Sequence, residues 1–88
     1  MSPSTRLKLQ TAAVNEDKRL TKQEVKRGLR PNIWRMGHYL AAIQGIDEDV
    51  DNGITIERSI AERTNGRFEN LLRKAVGLSE LDKMGNAK

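Results

Sequence analysis

The chain has no cysteine among its 88 residues, so no disulfide can staple it. A chain without cysteine suits a reducing compartment. Aromatic residues are nearly missing too: Trp34, Tyr39 and Phe68 are the whole set. With 36% hydrophobic residues, the core must be thin and aliphatic. A domain this small buries a modest share of its surface and gains from self-association or a partner. No apolar run approaches the roughly 20 residues of a membrane span. The opening stretch, MSPSTRLKLQTAAVNEDK, lacks the apolar centre of a secretory signal. These absences predict a cytoplasmic protein that makes no membrane contact.

Catalytic equipment is missing as well. His38 is the single histidine, and no nearby acid is spaced to orient it. Ser2, Ser4, Ser59 and Ser79 lie outside any nucleophile elbow. Gly28, Gly37 and Gly45 are too spread for a phosphate-cradling loop. The expectation is a non-enzymatic binding protein without cofactor or metal.

What is present is charge, unevenly placed. Residues 1–38 carry nine Lys/Arg against three acids, a net +6, and residues 39–88 carry a net −2. Lys18, Arg19, Lys22, Lys26, Arg27, Arg30 and Arg35 fall within eighteen residues. Such a cluster can neutralise several phosphates. The plainer reading is a solvated face that keeps a small protein dispersed.

The pattern along the chain predicts an all-α fold. It is a helical hairpin or three-helix domain over 20–81, with an arm at 1–19 and a frayed tail at 82–88. In the arm, Leu7, Leu9, Ala12, Ala13 and Val14 suit either a short helix or an extended segment. Thr21-Lys22-Gln23-Glu24 reads as a capping box, opening a short helix over 21–27 that Gly28 and Pro31 end. Pro31 suits the first position of a second helix, predicted over 31–45, with Ile33, Met36, Leu40 and Ile43 as its stripe. Asp47 to Gly53 reads as a loop, with Asn52-Gly53 its turn signal. Thr55 is a candidate cap for a third helix running to Val76. Asn65-Gly66 interrupts that helix, yet its stripe stays in phase across Gly66, which favours one helix with a weak point. Gly77 is the predicted C-cap. The expected core is Val25, Leu29, Ile33, Leu40, Ile43, Ile56, Ile60, Phe68, Leu71, Leu72 and Val76.

Two motifs match in part. With Asp47 first, Asp49 and Asp51 take the third and fifth places of an EF-hand loop. The sixth place, however, holds Asn52 instead of glycine, and the twelfth holds Arg58, a cation that repels calcium. The stretch from Leu20 to Leu40 has the outline of a helix-turn-helix, with Asn32, Arg35, Trp34 and His38 available to base edges. Its first helix is short, and Glu24 and Arg27 stand where apolar contacts belong.

Two binding expectations result. The first is nucleic acid held by Lys18, Arg19, Lys22, Lys26, Arg27, Arg30, Asn32 and Arg35, with Trp34 free to stack on an unpaired base. The second is a protein interface through Trp34, Gly37, His38 and Ala41, docking on a larger assembly or a second copy. In that reading Gly37 and Ala41 allow close helix approach.

Overall fold

The computed structural model describes all 88 residues and contains four helices: α1 (Pro3–Lys26), α2 (Arg35–Asp51), α3 (Ile56–Arg63) and α4 (Gly66–Ala75). The all-α expectation holds, and its boundaries move. The expected arm is instead the first part of α1. Ser2 caps that helix by accepting the Thr5 N–H at 3.1 Å, and Pro3 takes the first helical position, where its missing N–H costs nothing. Thr21 therefore lies inside a helix already under way and caps nothing. Burial explains the extension, since Leu9 and Ala13 are fully buried in the core.

Glycines end three of the four helices. After α1, Gly28 adopts φ 76°, and the Leu29 N–H returns to the Glu24 carbonyl at 2.9 Å. The same six-to-one closure joins Ile54 to Asp49 after α2, and Leu78 to Arg73 after α4. Each satisfies a carbonyl that the helix end would leave bare.

α2 starts at Arg35, four residues later than Pro31 suggested, and continues past Gly45 to Asp51. No breaker stands between Gly45 and Asn52, so the expected acidic loop is helical. This overturns the EF-hand geometry. Asp47 turns to Arg6 and the Met1 ammonium, whereas Asp49 turns to Ser59 and Arg63. The two carboxylates serve different neighbours and share no centre.

The single helix expected over 55–76 is two. Thr55 caps α3 by accepting the Arg58 N–H at 3.2 Å. Thr64 and Asn65 are extended, and Gly66 has φ 59°. Gly66 is thus a left-handed joint, a conformation that favours glycine.

α1 lies between α2 and α4 and runs antiparallel to both. Asp47 late in α2 meets Arg6 early in α1, and Arg35 early in α2 meets Asp17 and Glu24 late in α1. Arg67 at the start of α4 meets Glu16, while Val76 shares a groove with Met1 and Thr5. Tyr39 and Phe68 stack across from α2 to α4, with centroids 3.9 Å apart and planes at 12°. The tail is tied down instead of frayed. The Asn70 amide donates to the Leu81 carbonyl and accepts the Leu81 N–H, and Leu81 bridges Ala87.

The core is Leu9, Ala13, Ile43, Ile46, Ile60 and Leu72. Ile43, Ile60 and Leu72 were expected, and Ile56, Phe68, Leu71 and Val76 are half-buried. Val25, Leu29, Ile33 and Leu40 are not core residues: they are 60%, 58%, 81% and 43% exposed. The reason is length. α1 spans about 36 Å, whereas the ten residues of α4 span about 15 Å, so α4 covers only one half of the α1–α2 hairpin. None of residues 17–42 is buried, and that half projects.

Candidate nucleic-acid interface at the hairpin tip

One guanidinium holds the projecting half together. Arg35 Nε donates to Asp17 Oδ1 at 2.8 Å, and its Nη2 donates to Glu24 Oε1 at 2.7 Å and Thr21 Oγ1 at 3.1 Å. Its side chain is 10% exposed. The Arg35 guanidinium holds the Glu24 carboxyl below the usual range, while partial burial opposes this. Arg35 was expected to meet nucleic acid directly. It is instead spent inside the hairpin, where its fork matches two carboxylates that a lysine could not span. The same placement removes the helix-turn-helix: the would-be reading helix lies antiparallel on α1, and its leading arginine faces inward.

This pairing changes the charge of the surface. Asp17 and Glu24 are consumed by Arg35, and Glu16 takes Arg19 and Arg67. Lys18, Lys22, Lys26, Arg27 and Arg30 are all exposed, and no carboxylate lies within ion-pair distance of them. Lys18, Lys22 and Lys26 follow one another at four-residue steps along α1, so they form one row. Arg27 ends the helix, and Arg30 lies in the connection to α2. Cations also suit the carbonyl end of a helix dipole, which accounts for Lys26 and Arg27 locally. It does not account for the whole row.

Apolar side chains stand among these cations. Ile33 and Trp34 are 81% and 71% exposed, and Leu29 and Val25 accompany them. The Asn32 Oδ1 accepts the Trp34 N–H at 3.0 Å, a local turn that sets Trp34 at the mouth of α2. Sequence reasoning assigned Leu29 and Ile33 to the core. Their position on either side of Pro31, where the chain reverses, is the signal that they belong to the tip.

The residues expected at a protein interface are all solvent-facing. Trp34, Gly37, His38 and Ala41 lie at i, i+3, i+4 and i+7 on the free side of α2, and a β-carbon at Gly37 would meet no neighbouring element within 4 Å. His38 also borders a shallow groove beside Tyr39, Glu62 and Asn65. No group of His, Cys, Asp and Glu side chains converges as a metal site, and no helix is long and apolar enough to cross a membrane. Set against known proteins, the chain matches no family model, no curated protein and no solved structure.

Proposed function

We propose that this is a non-enzymatic binding protein that contacts nucleic acid through the tip of its α1–α2 hairpin. The observation that carries the reading is the row of unpaired cations at Lys18, Lys22, Lys26, Arg27 and Arg30, beside side chains able to meet bases. Nearby acids are already neutralised within the fold, so the tip presents positive charge with little internal compensation. Polyanions release counterions on such a surface, and the logarithm of the affinity then falls linearly with the logarithm of salt concentration. Five phosphates on a single strand correspond to a slope of about −3.5.

The test is binding of labelled DNA and RNA across a salt series. Reversing Lys26, Arg27 and Arg30 to glutamate is expected to abolish most binding and flatten the slope. Unchanged binding by that variant would sink the reading.

A second reading has its own observation. The uncovered stripe Trp34, Gly37, His38 and Ala41 on α2 suits a helix from a larger assembly or from a second copy. Concentration-dependent mass in light scattering, lost in Ala41→Glu, with no salt-sensitive nucleic-acid binding, is its signature.

A further inference from the structure

Resting on that nucleic-acid reading, we infer that the tip selects unpaired bases, so its ligand is single-stranded nucleic acid in preference to an intact duplex.

Phosphates account for the cations but not for Ile33, Trp34 and Leu29, which are 81%, 71% and 58% exposed. Those side chains need an apolar surface to cover. In a duplex the base faces are stacked on one another, and reaching them requires forcing a step open. In a single strand the faces are already available, and stacking on an aromatic side chain is indifferent to sequence.

The platform is also preorganised. The backbone at Trp34 is held from both sides: its main-chain N–H donates to the Asn32 Oδ1, and its neighbour Arg35 is anchored to Asp17, Thr21 and Glu24. The backbone that carries the indole therefore has little freedom to lose when a base settles there. The lysine row on α1 advances about 6 Å per step, so one backbone can follow it toward the tip. The Arg30 and Ile33 N–H groups have no acceptor within the chain. They are free to donate to a phosphate or a base edge. The same two groups argue against insertion into a lipid surface, where unsatisfied backbone donors would accompany the apolar side chains into hydrocarbon.

Trp34 is the chain's only tryptophan, so its fluorescence reports the site directly. The full chain would be titrated at low salt with single-stranded DNA and RNA of about a dozen nucleotides. The matching DNA duplex and vesicles of phosphatidylglycerol and phosphatidylcholine are the parallel arms. Single strands are expected to bind about tenfold or more tighter than the duplex and to quench Trp34. Trp34→Ala should erase that preference, followed by fluorescence anisotropy of a labelled strand, and Trp34→Phe should restore part of it. Circular dichroism checks that both variants keep their helices. Equal affinity for strand and duplex, with Trp34 emission unchanged, overturns the preference and leaves the nucleic-acid reading standing. No salt-sensitive binding of any oligonucleotide overturns both. A blue shift of Trp34 on anionic vesicles alone also overturns both, in favour of a lipid ligand.

Discussion

Asp49 accepts two hydrogen bonds from Arg63, from Nε at 2.7 Å and Nη2 at 3.0 Å, and this fork joins the last turns of α2 to the end of α3. The Ser59 hydroxyl adds a third donor to the same carboxylate at 2.8 Å. All three stabilise the ionised form. The Arg63 pairing, followed by Ser59, depresses the Asp49 carboxyl from 3.8 to about 2.

The first prediction is acid sensitivity. Asp49 has a folded pKa below its unfolded value, so its contribution is fully present above about 3.8 and is lost as pH falls through about 2. Glu16, Glu24 and Asp47 shift in the same direction. Urea midpoints should therefore drop across that window. Asp49→Asn should show a shallower drop, and an unchanged profile would separate this carboxylate from acid unfolding.

Gly45 gives a second test. A β-carbon there would collide with the Arg63 guanidinium, which is the far end of a flexible side chain and can swing away. Gly45→Ala gains about 1 kcal/mol of helix propensity and loses the Asp49 fork. Stability at neutral pH is expected to change little, whereas the acid profile should flatten toward that of Asp49→Asn. Thermal melts at two pH values would show it.

Arg35 separates structure from binding. Arg35→Met leaves Asp17 and Glu24 without their cation. It should cost about 2 kcal/mol, the scale of charged hydrogen bonds. In the molecules that remain folded, affinity should fall because Asp17 and Glu24 lose their neutralising partner, while the salt slope should change little because Arg35 is not an open contact. Lys26→Ala should do the reverse, lowering the slope by about 0.7 on a single strand with stability almost unmoved. Denaturant titration and a binding series on the same two variants decide it.

The division between core and tip yields a fourth prediction. Leu72 is fully buried, so Leu72→Ala should cost about 2–5 kcal/mol. Ile33 is 81% exposed, so Ile33→Ala should stay within about 0.5 kcal/mol. Comparable losses at both sites would mean that the tip folds back onto the body in solution.

How much of this was legible in the sequence depends on how local each signal is. Gly28 and Gly77 end helices where expected, and Asn52-Gly53 turns the chain as expected although α2 runs up to it instead of stopping at Gly45, because a left-handed backbone is a property of a few consecutive residues. Thr55 caps as expected for the same reason. Ile43, Ile60 and Leu72 follow from helical spacing. The cation cluster was visible too, although not which members were free.

The sequence by itself determined an all-helical chain, its main stops and its basic half. Tertiary structure decided the rest. Whether residues 3–20 form helix depended on Leu9 and Ala13 finding Ile43, Ile46 and Leu72 to pack against. Whether Ile33 and Leu29 are buried depended on how far α4 reaches along α1. Whether Arg35 faces solvent depended on Asp17 and Glu24, eighteen and eleven residues away. A backbone conformation is set by neighbours in the chain, but burial and charge pairing are set by neighbours in space.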